Sequence, residues 1–174
     1  DVVTSANIAC GGHAGDAETM RRACDAALER GVRIGAHPGY RDRENFGRAE
    51  LELATDEVIT QVAEQIALLE GIAASSGGAV THVKLHGALY HRALGDIELA
   101  QELADLIARL GHPPAVLAPA SGALAGAARE LKLRCAAEGF ADRAYGSDGL
   151  LVARDQPGSL LGAEEAVAQA LRLA

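Results

Sequence analysis

The feature that most constrains this chain is a strict alternation. Short runs of β-branched and small apolar residues are separated by stretches with helical periodicity, and most short runs lead directly into glycines, histidines and charged groups. Thr4 to Ala9 reads as a buried strand. From Ala17 the period becomes helical, with Met20, Ala23, Cys24, Ala27 and Leu28 on one face, Asp16 placed to cap the helix and Gly31 to end it. Val32 to Ala36 is the next strand. A long loop, Pro38 to Ala54, follows and is a candidate lid. Val58, Val62, Ile66 and Leu69 mark a second helix that closes near Gly77-Gly78. Ala79 to Leu85 is a third strand, and Asp96 caps a helix with Leu99, Leu103, Leu106, Ile107 and Leu110 inward. Ala115 to Ala118, Ser121 to Leu131, Lys132 to Ala137 and Ala163 to Leu173 read as strand, helix, strand and helix. Such an order implies a parallel sheet with right-handed crossovers, in a (β/α) barrel or a doubly wound sheet. With no second composition along it, the chain is expected to form one domain over residues 1–174.

Four polar motifs then fall on one edge of that sheet. They are Asn7-Ile8-Ala9-Cys10-Gly11-Gly12-His13-Ala14-Gly15-Asp16, Gly35-Ala36-His37-Pro38-Gly39-Tyr40, His82-Val83-Lys84-Leu85-His86-Gly87-Ala88-Leu89-Tyr90, and Glu138-Gly139-Phe140-Ala141-Asp142-Arg143-Ala144-Tyr145. Parallel α/β folds bind ligands at the C-terminal ends of their strands, so these motifs form one constellation. The amides at Gly11-Gly12, just before a helix, could bind an anion or simply make a βα turn. His82, Lys84 and His86 alternate along a strand and point to one side. A lysine there is costly unless it has a partner or a role, such as holding a carboxylate or polarising a carbonyl. The plain alternative is an ion pair to Glu138 or Asp142. His13, His37 and His86 could be ligands of a divalent metal, or general acid–base groups. Asp142-Arg143 could be a structural ion pair or part of a site. Arg41, Asp42, Arg43 and Glu44 read as a solvated loop, and His91 and His112 as surface.

Composition excludes several classes. A net charge of -8 with no basic stripe is a poor match for nucleic acid. No apolar run is long enough to span a bilayer. Three scattered cysteines make no disulfide framework, and a reduced, cytoplasmic setting is expected. There is neither a Walker-type nucleotide loop nor a G-x-S-x-G elbow.

The motifs Thr4-Ser5-Ala6-Asn7-Ile8-Ala9-Cys10-Gly11 with His13-Ala14-Gly15-Asp16, Gly35-Ala36-His37-Pro38-Gly39-Tyr40, His82-Val83-Lys84 with His86-Gly87-Ala88-Leu89-Tyr90, and Phe140-Ala141-Asp142-Arg143 with Tyr145 closely resemble the LamB/YcsF family. The resemblance runs over nearly the whole chain in order. It implies an irregular seven-stranded (β/α) barrel of the glycoside hydrolase/deacetylase type. The acidic opening strand of the family pattern is missing, as is the C-terminal end, so an incomplete barrel is expected. Gly12, Leu85 and His91 stand where an aromatic, Pro and Asn are usual. The implied activity is ATP-dependent opening of 5-oxo-L-proline to L-glutamate, shared with subunits B and C, with ATP as co-substrate, a divalent metal as an option and a homo-oligomer left open. The implied catalytic residues are Lys84, His86, His37 and Asp142. Asn7, His13, Asp16, Tyr40, Glu138 and Arg143 would bind substrate, and His13, His37 and His86 are the possible metal ligands. A metal-dependent amidohydrolase or deacetylase working without ATP, and a non-catalytic component that only binds substrate, are the rival functions.

Overall fold

The computed structural model describes residues 3–147, 149, 151, 152, 154 and 156–173. These fall into two compact units, residues 1–137 and residues 138–174. In the first, β1 (Ser5–Ala9), β2 (Arg33–His37), β3 (Val80–Val83), β4 (Ala115–Ala118) and β5 (Cys135–Ala137) form one sheet in the order β1-β2-β3-β4-β5, every pair parallel. The order never reverses, so there is no topological switch point of the doubly wound kind. The sheet winds as the wall of a (β/α) barrel, and five of its strands lie in the described residues.

Period-2 alternation divides the strands into two faces. Ile8, Ile34, Ala36, Val83, Val116 and Ala118 are buried. They share the core with Met20, Cys24 and Ala27 of α1 (Ala17–Glu29), Val58, Val62, Ile66 and Leu69 of α2 (Thr55–Ser75), and, in the helix that Asp96 precedes, Leu99, Leu103 and Ile107. Truncating one fully buried leucine, such as Leu69→Ala, would cost about 2–5 kcal/mol. The other face carries Asn7, Gly35, His37 and His82, and holds the polar chemistry.

Asp16 caps α1 through a reciprocal capping box with Thr19. Strand 3 is shorter than expected, ending at Val83, but its pairing continues irregularly: the Lys84 amide donates to Ala36 O (2.9 Å) and the His86 amide to Pro38 O (2.8 Å). An additional helix, α3 (Gly87–Gly95), occupies a segment that shows no helix signal in sequence. It is followed by α4 (Ile97–Ala108), which Asp96 caps by accepting from the Leu99 amide. Lys132 is not in a strand. It sits at φ 57° in the turn that ends α5 (Ala123–Glu130), its amide bonded to Arg129 O. Strand 5 therefore begins only at Cys135. Among the described residues no helix is long and apolar enough to cross a membrane.

The second unit holds α6 (Ala163–Leu173) and the antiparallel bridges Arg143–Leu160 and Tyr145–Leu151. Gln169 on α6 donates to the carbonyls of Phe140, Ala141 and Arg143.

Candidate active site

Three neighbouring strands deliver three imidazoles to one place. His37 ends β2, His13 lies in the turn after β1, and His86 follows β3, carried there by the backbone bonds of Lys84 and His86 to the β2 side. The rings of His13 and His86 stack at 3.7 Å with planes 7° apart, and His37 meets both edge-on.

The hydrogen bonds fix most of the protons. His37 Nδ1 lies 2.7 Å from Lys84 O, which can only accept, so Nδ1 carries a hydrogen. His86 Nδ1 lies 3.0 Å from His37 Nε2, and either nitrogen can be the donor. His86 Nε2 lies 2.9 Å from Phe46 O, again a pure acceptor. All three contacts are satisfied together when one hydrogen lies between His86 Nδ1 and His37 Nε2. Burial, opposed by the bond to Lys84 O and helped by the charges of His86 and Lys84, lowers the His37 pKa to about 4. Burial, then the neighbouring His86 and His37, lower that of His13 to about 3. The site thus presents two imidazoles that resist protonation, His13 and His37, packed against His86 and beside the half-buried Lys84.

Residues outside the motifs complete this arrangement. Gln65, buried on α2, accepts from the Gly39 amide and donates to Gly39 O and Gln61 O, filling the space beside Gly12. Phe46 sets its ring edge against both His13 and His86, with the Arg48 guanidinium 5.1 Å over its face. Part of the loop expected to be solvated is committed: Arg43 donates to Gly11 O and Gly15 O, and Arg41 pairs with Glu64. Neither Gln65 nor Phe46 carries a local sequence signal. Their roles come from contacts across the fold.

The other predicted site residues are placed differently. Asn7 Oδ1 meets His82 Nε2 at 3.0 Å, and burial, then the charges of Arg33 and Lys84, lower the His82 pKa. His82 therefore points to β1 and not into the imidazole cluster. Gly35 makes this possible, because its pairing places it between Asn7 and His82 and a Cβ there would fall on the His82 ring. Asp16 spends its carboxylate on the α1 cap, and the Gly11 amide is bonded to Ala14 O. One of the two amides of the Gly11-Gly12 turn is thus already taken. Tyr40 is buried and bonded to the Arg92 guanidinium. Glu138, Asp142 and Arg143 lie in the second unit, where Arg143 is buried and donates to Ser159 O and Val152 O.

The imidazoles do not suit a metal as they stand. Nε2 of His37 and Nδ1 of His86 face each other, and among the described residues no group of three or more His, Cys, Asp or Glu is arranged to hold an ion. A cleft of about 780 Å³ lies at the opposite, N-terminal edge of the strands, lined by Ser5, Arg33, His82, His112 and Arg134. The imidazole cluster is not part of it.

A parallel (β/α) wall with an imidazole cluster at the C-terminal ends of its strands defines a barrel-type domain of the kind that usually works as an enzyme or a small-molecule binder. The chain belongs to the LamB/YcsF family, which it matches over residues 1–174. It is 47% identical over 174 residues to a Nocardia farcinica protein named as the A subunit of 5-oxoprolinase, covering 100% of this chain and 70% of that one. A Mycolicibacterium gilvum protein of the same name is 45% identical over 169 residues, covering 97% and 67%. The crystal structure of a lactam utilization protein from Thermus thermophilus superposes with a TM-score of 0.92 at 38% identity, covering 99% of this chain and 70% of that one.

Proposed function

We propose that the chain is the A component of a 5-oxoprolinase, opening the five-membered lactam of 5-oxo-L-proline to L-glutamate with ATP and with partner subunits B and C. The observation that carries this reading is the convergence of His13, His37 and His86 beside Lys84, on a domain similar to proteins named for lactam use and 5-oxoproline cleavage. A five-membered lactam is resonance-stabilised and little strained, so coupling to ATP supplies the drive. In our reading ATP phosphorylates the amide oxygen and leaves as ADP, water attacks the activated ring carbon, the ring nitrogen departs to leave an acyl phosphate, and a second water releases inorganic phosphate and L-glutamate. Lys84 stabilises charge on the oxygen. His86, which His37 holds in place, reaches the amide group through Nε2 and passes a proton to the departing ring nitrogen.

The test is glutamate release by the full-length protein with its partner subunits. It should depend on ATP, and a Lys84→Ala, His86→Ala double variant should lose it by a factor on the order of a thousand or more. Full activity in that variant would remove the proposed site. Activity that needs no ATP but falls with a chelator would favour the metal-dependent amidohydrolase.

A further inference from the structure

We infer that residues 41–48 form a strap that holds the site shut, and that the Phe46 carbonyl occupies the place of the substrate's amide oxygen. This rests on the function proposed above for the chemistry of the ligand, a secondary amide in a small ring. The closed state itself rests on geometry alone.

In this conformation no imidazole is open to a substrate. His13 is only 3% exposed, and its Nδ1 has no hydrogen-bond partner. His37 Nε2 is taken by His86, and His86 Nε2 by Phe46 O. The group on His86 Nε2 is a peptide carbonyl, the same functional group as the carbonyl of a lactam. The strap lies over the rings with Phe46 edge-on to His13 and His86.

The strap is also built to let go. Phe46 sits at φ 57°, in the left-handed region that a bulky side chain rarely adopts, and such strain persists only where surroundings enforce it. The residue is 45% exposed. Asp42 Oδ2 is buried without a partner. The strap's near end is tied down, Arg41 to Glu64 and Arg43 to Gly11 O and Gly15 O, while its far end is held by fewer bonds: Gly47 donates to Asp42 O within the strap and accepts from Ala88 at the start of α3, and Phe46 O meets His86 Nε2. Opening would release the left-handed backbone, hydrate Asp42, and free His86 Nε2 for an incoming amide. A closed state that competes with ligand weakens apparent binding in proportion to its population.

Gly47 is the point to test. It sits at φ 66°, and a Cβ there would lie 2.8 Å from His13 Cβ and 3.1 Å from His86 Cδ2, so Gly47→Ala wedges the strap off the rings. With diethylpyrocarbonate as probe on the full-length protein, His13 and His86 should react at least about ten-fold more slowly than exposed His112 in the wild type, and approach the His112 rate in Gly47→Ala. Phe46→Ala, which removes the ring contacts, should act the same way and serves if Gly47→Ala fails to fold. Rates equal to His112 in the wild type, or unchanged in both folded variants, would overturn the strap. In the wild type, saturating 5-oxoproline should speed hydrogen exchange at the Gly47 and Ala88 amides. Binding with slowed or unchanged exchange there would overturn the place given to the Phe46 carbonyl. Absence of 5-oxoproline binding and turnover would instead sink the proposed function, and the chemical-modification arm would still decide the strap.

Discussion

The imidazole of His13 lies flat on that of His86, 3.7 Å away and within 7° of parallel. Two cations could not share that distance in a buried place, so at most one of the two rings holds an extra proton. His13 keeps its neutral form because burial and the charge beside it disfavour a second proton.

Stability should therefore depend on pH in a definite window. The unfolded chain takes up protons on His13 and His37 near pH 6.5, but the folded chain resists until about pH 4 for His37 and about pH 3 for His13. Between those limits the unfolded state binds more protons, so stability is full above pH 6.5 and falls as the pH is lowered through the window. Urea midpoints should drop from about pH 7 to about pH 4.5. A His13→Gln variant should show a shallower drop, and an identical slope would contradict the assignment. Asp16 and Asp96, whose pKa values are lowered mainly by backbone amides that donate to them, lose their contribution only below pH 3.8.

Gln65→Leu should destabilise the protein by about 1–3 kcal/mol, because the N–H and C=O of buried Gly39 both lose their partner. Gly39 lies against His13 and His86, so kcat should fall as well. Equilibrium unfolding and steady-state kinetics on one preparation measure both effects. Gln65→Glu, which cannot donate to the Gly39 carbonyl when ionised, should not restore the wild type.

Asp16 offers a separation of roles. Loss of its capping box in Asp16→Ala should lower the urea midpoint, and Asp16→Ser should recover most of that. A variant that is stable as Ser yet has a raised KM would give Asp16 a substrate-binding part in addition to the cap. Stability and KM both restored by Ser would leave it a cap.

The thiols should differ sharply. Burial pushes Cys10 up to about 12, and its Sγ donates to Ile8 O, while Cys24 is fully buried and its pKa is raised by the same cause. Native protein treated with iodoacetamide near neutral pH should label half-buried Cys135 first and leave Cys10 and Cys24 unmodified until unfolding. Early labelling of Cys10, which adjoins the glycine turn before His13, would mean that the turn opens.

Much of the fold is legible in the residues because each strand is a short apolar run and most of the long helices carry an apolar stripe, two of them behind a capping aspartate. Helix α3 is not legible in this way. Its first residue is a glycine, the preceding His86 makes no side-chain cap, and the Ala88 amide is satisfied by Gly47 O from a distant loop. That bond exists only after the chain has folded. The same reason hides Gln65 and Phe46. Gln65 sits on the buried side of α2 among Val62, Ile66 and Leu69, and only its bonds to Gly39 show why an amide is there. The histidines are readable because position directly after a strand is itself a coordinate. His82 shows the limit of that rule: alternation puts it on the polar side, yet its ring reaches sideways to Asn7.

That sideways reach has a consequence for how the sequence can change. The His82 ring occupies the space where Gly35 would carry a methyl group. Positions 35 and 82 therefore behave as one volume divided between two strands. A larger residue at one is tolerated only with a smaller one at the other, and Asn7 is left with a different neighbour in every such exchange.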